Sequence, residues 1–219
     1  MRPKKGEIHM FGLIEKDLRL TLARKQTLFI FLAMALIMGQ SMEGEFLVGY
    51  LTMFAVLVAI GTTSYDEFDN GFAFLMTLPF DRKTYVREKY LFCLMMAAAA
   101  WCFGIVLYVI GTGIRHSAIS LTGQLPMLLG IIPTVLISAC VMIPLQLKFG
   151  MEKSRIILFA LFGFIVVMTA AWKKVMGNGP ALPDALPPAA VLLSLTAAFL
   201  LLALASYRWS VRIMEKKEF

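Results

Sequence analysis

Six long apolar runs separated by short polar stretches dominate the chain. They cover roughly residues 27–42, 46–64, 90–113, 127–147, 156–172 and 189–207, and none contains Asp, Glu, Lys, Arg or His. Each has about 16 to 24 residues, and a helix needs about 20 to cross the hydrocarbon core of a bilayer. The pattern predicts an all-α integral membrane protein, with six transmembrane helices forming one domain over residues 1–219.

The polar stretches predict further elements. Between residues 8 and 26, Ile8, Phe11, Ile14, Leu18 and Leu22 recur every three or four positions, with Lys16, Arg19 and Arg24 set away from them. That spacing predicts an amphipathic helix along the membrane surface, although Leu13 and Leu20 fall on its far side and Glu15 intrudes on the apolar one. It serves either as a plain interfacial anchor or as a surface that also touches a partner. After the second run, Asp66, Glu67, Asp69 and Asn70 suit a helix N-terminus. Phe68, Phe72, Leu75 and Met76 follow at helical spacing, and Pro79 disfavours helix at Leu78. A short amphipathic helix is therefore expected between the second and third spans, with Asp81 capping the next helix. Either its aromatic residues lie in lipid headgroups or they plug into a partner. Residues 173–188 contain Pro180, Pro183, Pro187 and Pro188 with Gly177 and Gly179, which predicts an irregular cap. Small residues at Ala97 to Ala100, Gly104, Ala197, Ala198, Ala203 and Ala205 permit close helix contacts.

Charge sets the orientation. Of the 21 Lys and Arg, 18 lie before the first run, after the second, after the fourth and in the tail; Arg115, Lys173 and Lys174 lie on the other side. The positive-inside bias therefore predicts that both termini are cytoplasmic. It also accounts for the net charge of +7 without nucleic acid as a partner. Composition agrees: 59% of the 219 residues are hydrophobic and 16% charged, against about a quarter charged in a soluble domain. Met1 to Lys5 is basic, but no short apolar core and cleavage site follow, so no removable signal peptide is expected.

Candidate chemistry is sparse. The chain has no G-x-x-x-x-G-K-[ST] phosphate loop, so ATP hydrolysis is not expected in it. His9 and His116 stand alone, and Cys93, Cys102 and Cys140 lie within apolar runs, so neither metal nor disulfide is expected. The spans are polar mainly through Thr52, Thr62, Thr63, Ser138, Gln146 and Thr169, groups mild enough for a path and inadequate for catalysis. The chain is thus expected to be no enzyme. It needs an energised partner, or it is a passive scaffold or sensor; an ion-coupled carrier is disfavoured by the uncharged spans.

The segment Ile14-Glu-Lys-Asp-Leu, followed by Ala23-Arg-Lys, resembles the start of bacterial ATP-binding-cassette permeases of the type-two exporter class. So does Asp66-Glu67-x-x-x-Gly71, followed by Leu78-Pro79-Phe80-Asp81-Arg82-Lys83-Thr84-Tyr85-Val86 and Lys89-Tyr90-Leu91. The likeness extends to exporters of phenol-soluble modulins and other amphipathic peptides. It implies a permease subunit of the bacterial cytoplasmic membrane, paired with a second copy or a paralogue and surrounded by lipid. A separate cytoplasmic ATPase subunit would hold the ATP and Mg, and this chain would hold no cofactor. The resemblance also implies that Asp66, Glu67, Phe68, Asp69, Asn70, Phe72, Phe74, Leu75 and Met76 form the coupling helix seated in that ATPase. On that basis, reversing the charges of Asp66, Glu67 and Asp69 should uncouple transport and leave the bundle folded.

Overall fold

The computed structural model describes residues 5–41, 44–67, 71–78, 80–114, 121–176 and 188–217, and these are almost entirely helical. In chain order they are α1 (Lys5–Ala23), α2 (Lys25–Ser41), α3 (Gly44–Glu67), α4 (Gly71–Met76), α5 (Arg82–Ile114), α6 (Leu121–Met176) and α7 (Pro188–Lys216). α6 is broken at Gly150, where φ is 76°. The expected cap at residues 173–188 falls largely outside the described residues.

Four stretches are long and apolar enough to cross a membrane: Phe46–Glu67, Arg82–Gly113, Leu125–Gly150 and Thr196–Lys216. They correspond to the second, third, fourth and sixth apolar runs. α2 is a shorter apolar helix, and the side chains of the fifth run are mostly outside the described residues. Along the long helices, Phe103, Val106, Ile110, Leu200, Leu201 and Leu204 are exposed. Such faces would be untenable in water, and lipid tails cover them at no cost.

The helices run past the apolar runs because helical hydrogen bonding does not stop where hydrocarbon ends. α5 begins at Arg82, eight residues before the third run, with the Asp81 carbonyl accepting from the Thr84 and Tyr85 amides at 2.9 and 3.2 Å. Arg82, Lys83, Arg87 and Lys89 are therefore helical, on the helix that Asp81 was expected to precede. Likewise α3 continues through Asp66 and Glu67, so these residues end a span and do not begin the short helix, which is confined to Gly71–Met76.

α3 is the central element, packed against α5, α6, α2 and α1. Where α3 meets α5, the Val48 Cα lies 3.1 Å from where a Cβ on Gly104 would stand, so the expected close contact at this small residue is present. Polar side chains bridge the helices. Gln146 Nε2 donates to Ser64 Oγ at 2.8 Å, and Trp101 Nε1 to the Leu128 carbonyl at 2.9 Å. Pro144 has no N–H for the Cys140 carbonyl four residues earlier. Ser206 of α7 donates to that carbonyl instead. Thr52 is satisfied by the Val48 carbonyl at 2.7 Å and Ser138 by that of Val135 at 2.6 Å. Of the residues offered above as lining a path, Thr52 and Ser138 are thus satisfied by carbonyls of their own helices and Gln146 ties α6 to α3; the side chain of Thr169 lies outside the described residues. Cys93 and Cys140 are buried and Cys102 is exposed, all three as free thiols.

Gly104→Leu should overpack the α3–α5 contact and cost about 1–3 kcal/mol. The expected result is a lower Tm of the detergent-purified protein. Gly111→Leu, whose Cβ would meet nothing within 4 Å, should melt like the unmodified chain.

Candidate functional site

The end of the bundle that carries α1, α4 and the start of α5 is held by a buried cluster of charges. α1 presents Met10, Leu13, Ile14, Asp17 and Thr21 inward, a spacing of three and four residues. Of the apolar stripe read from the sequence, Ile14 joins this inward face. Phe11, Leu18 and Leu22 point away from the bundle and are exposed, while Leu13, expected on the far side, is buried. Glu15 is exposed and pairs with Arg19 one turn on, at 2.6 Å.

Asp17 is fully buried, and its carboxylate meets the ammonium of Lys89, itself 2% exposed, from the second turn of α5. Thr62 of α3 donates to the same carboxylate at 2.7 Å. Lys89 Nζ also lies 2.9 Å from Asp66 Oδ2 and 3.2 Å from Thr62 Oγ1. The Tyr85 hydroxyl donates to Asp66 Oδ2 at 2.8 Å, and Lys16 pairs with Asp66 Oδ1 and lies 3.1 Å from Asp17 Oδ1. Two lysines thus bridge two aspartates, joining α1, α3 and α5. Glu88 lies beside them, fully buried, with Oε2 3.8 Å from Lys89 Nζ and no hydrogen-bond partner on either oxygen. Burial alone pushes the Asp17 carboxyl up. The charges of Lys89 and Lys16 and the hydrogen bonds from Lys89 and Thr62 outweigh it and hold the group below its ordinary 3.8.

The C-terminal end of α7 closes the same region. Arg82 Nη1 donates to the carbonyls of Met214, Glu215 and Lys217 at 2.8, 2.9 and 2.9 Å, supplying a cation and a donor where a helix has unsatisfied carbonyls. Lys217 reaches the Leu147 carbonyl at 3.3 Å and Glu67 at 3.7 Å, and its ammonium lies 4.6 Å from the centre of the Phe72 ring. Glu67 in turn faces the break in α6. Its carboxylate oxygens lie 2.9 and 3.0 Å from where a Cβ on Gly150 would sit, so a larger residue would have to displace them, and the φ of 76° there favours glycine. Gly71 is required for a similar reason: its Cβ would come within 2.8 Å of the Asp66 carbonyl oxygen.

The nine residues assigned to coupling divide clearly. Asp66 and Glu67 belong to the ion contacts above. Phe72 and Leu75 are buried, with Phe72 edge-on to Tyr85 at 5.7 Å between ring centres. Phe74 is 69% exposed. Phe68, Asp69 and Asn70 lie outside the described residues, as does the side chain of Met76. Asp17, Lys89, Arg82 and Lys217 were missed as site residues. The available signal was Asp17 at an inward position of an otherwise apolar helical stripe.

Bilayer-length apolar helices, a buried ionic cluster at one end and lipid-compatible faces define a multi-pass membrane protein. The chain belongs to the ABC-2 family of transporter proteins, whose family model matches residues 12–215. It is therefore a permease, the membrane subunit of a transporter. Comparison with curated proteins and with solved structures gave no match.

Lys89→Met should remove the more deeply buried of the two cations shared by Asp17 and Asp66, leaving only Lys16, at a cost of about 3–5 kcal/mol. Adding Asp17→Asn should recover part of the lost Tm. Because the Asp17 carboxyl is depressed on folding, its stabilisation is present above its ordinary pKa and lost as pH falls through the folded value. Thermal stability should thus hold from pH 7 to 5 and decline below about pH 4. The Asp17→Asn protein, less stable at neutral pH, should lose less on acidification.

Proposed function

We propose that the chain is the membrane-spanning subunit of an ATP-driven exporter of amphipathic peptides or similarly hydrophobic substrates in the bacterial cytoplasmic membrane. In this reading six spans cross the bilayer with both termini inside, and two such subunits, identical or paralogous, form the path. A cytoplasmic ATPase, a partner general to ABC-2 permeases, binds the ATP and Mg. Residues 66–76 lie on its side of the membrane, and α4 takes its push.

The observation that carries the reading is the division of labour within α4. Phe72 and Leu75 lock it to the bundle, and Phe74, beside them, stands free. A helix of six residues has no stability of its own. Fixed from one side by buried contacts, it can still transmit force from the other. This relocates the coupling test. Charge reversal at Asp66 would set a buried anion's partners against it and unfold the end of the bundle, whereas Phe74 can be changed without touching the core.

Affinity purification of the tagged chain from its native membranes should bring down a stoichiometric cassette ATPase. Phe74→Ser should reduce its recovery and its coupled hydrolysis several-fold at unchanged Tm of the permease. Recovery of the unmodified chain alone, in several gentle detergents, would sink the exporter reading in favour of a scaffold or a carrier.

A further inference from the structure

Where α1 turns into α2 the chain bends at Arg24, and the bend leaves a groove of about 260 Å³ against α3. Its two ends differ in chemistry. At the α1 end stand Thr21, Arg24, Thr27 and Tyr65; beyond them come Leu28, Phe31, Phe54, Leu57 and Val58. A second groove of about 350 Å³ shares Phe31, Phe54 and Leu57 and continues past Met53 to Tyr50 and Phe46. The rings of Phe31 and Phe54 stack at 3.6 Å between centres and form a common floor.

The polar end is built and unfilled by the protein. Thr21 is 3% exposed, and its hydroxyl has no hydrogen-bond partner; the Tyr65 hydroxyl is likewise buried and unpartnered. A buried polar group without a partner is costly, so such groups in native proteins usually serve a ligand or water. The Arg24 guanidinium lies 4.4 Å from the centre of the Tyr65 ring and makes no ion pair among the described residues. All three groups donate hydrogen bonds, and with Lys25 adjacent the site is positive: it is shaped for an anion and repels an ammonium.

The apolar end fixes what kind of anion. From Tyr65 to Tyr50, α3 rises about 22 Å, and the hydrocarbon of one leaflet is about 15 Å deep. An acyl chain starting at Tyr65 therefore ends near Phe54. A free phosphate would use none of this length.

We propose that the groove between the α1–α2 bend and α3 binds one anionic phospholipid. The phosphate is held by Arg24 and by the Thr21 and Tyr65 hydroxyls, and one acyl chain lies along Leu57, Phe31 and Phe54. The site is independent of what the permease carries. It adjoins the charge cluster, because Thr62 lines the groove and hydrogen-bonds Asp17, and Thr21 is one turn beyond Asp17 on α1.

The test is native mass spectrometry of the full-length protein in detergent, titrated with phosphatidylglycerol or phosphatidylcholine. One phosphatidylglycerol should be retained about tenfold more tightly than phosphatidylcholine. Arg24→Gln should bring it to the level of phosphatidylcholine, while Arg87→Gln, at an exposed cation outside the groove, should change nothing. Gly61→Leu supplies a second variant. Gly61 lines the groove and a Cβ there meets nothing within 4 Å, so leucine fills the space without straining the fold and should displace the lipid. Equal retention of the two lipids, or equal loss in Arg24→Gln and Arg87→Gln, would overturn the proposal. So would a Gly61→Leu protein that keeps its lipid and changes oligomeric state, since the groove would then be a contact between protein copies.

Discussion

Burying the Lys89 ammonium between Asp17 and Asp66 constrains every element at the polar end of this bundle. An ammonium is costly to bury in a medium that cannot solvate it, and the cost is offset only where carboxylates meet it in good geometry. Those carboxylates come from two other helices. α1 cannot drift along the membrane surface as a free amphipathic anchor would, because moving it strands Lys89 and Asp17 together. α3 cannot slide along α5, because Asp66 and Tyr85 would separate. With α1 fixed, the bend at Arg24 falls where it does, and with it the groove against α3.

The same end is tied a second time through helix termini. Arg82 sits on the last carbonyls of α7, and Lys217 on the last carbonyls of α6 before its break. Both contacts place a cation where the helix dipole is negative. They link the start of α5, the end of α7 and the break in α6 through Glu67 and Phe72, so α4 rests on a surface assembled from four helices. The acidic pair and the glycine five residues on from Asp66 then have a shared explanation. Asp66 enters the ion cluster, its carbonyl crowds Gly71, and Glu67 fills the space beside Gly150.

How much of this was legible in the sequence follows from the range of each interaction. Apolarity is local, so the membrane helices and the helix start after Asp81 could be read directly. The end of α3 could not, since its hydrogen bonding continues through Asp66 and Glu67, residues that look like the start of the next helix. The charge cluster joins positions 72 residues apart in the case of Asp17 and Lys89, and Arg82 meets Met214 across 132 residues. A single sequence carries no sign of such pairs. The face of α1 that meets the protein was harder to see for a related reason: the apolar stripe legible in the sequence includes the exposed Phe11, Leu18 and Leu22, and it outweighs Leu13 and Asp17, which face the bundle. The amphipathic character of α4 was visible, but which of its aromatics faces out depended on Tyr85 and Lys217.

A connected end also limits how a permease of this design can move. A load on Phe74 passes through Phe72 to Tyr85 and thence to Asp66, Lys89 and Asp17, so α1, α3, α4 and the start of α5 respond as one body. Packed side chains around a buried ionic cluster have few alternative arrangements, and a helix pair held this way shifts as a unit before it deforms. Compliance must lie where backbone hydrogen bonding is already interrupted. α6 supplies that place, with Pro126, Pro133 and Pro144 along its first half and a full break at Gly150. Glu67 and Lys217 sit at that break, next to α4. The element proposed to receive the push and the interrupted helix that can yield to it are thus adjacent, and the acidic residue after Asp66 is the contact between them.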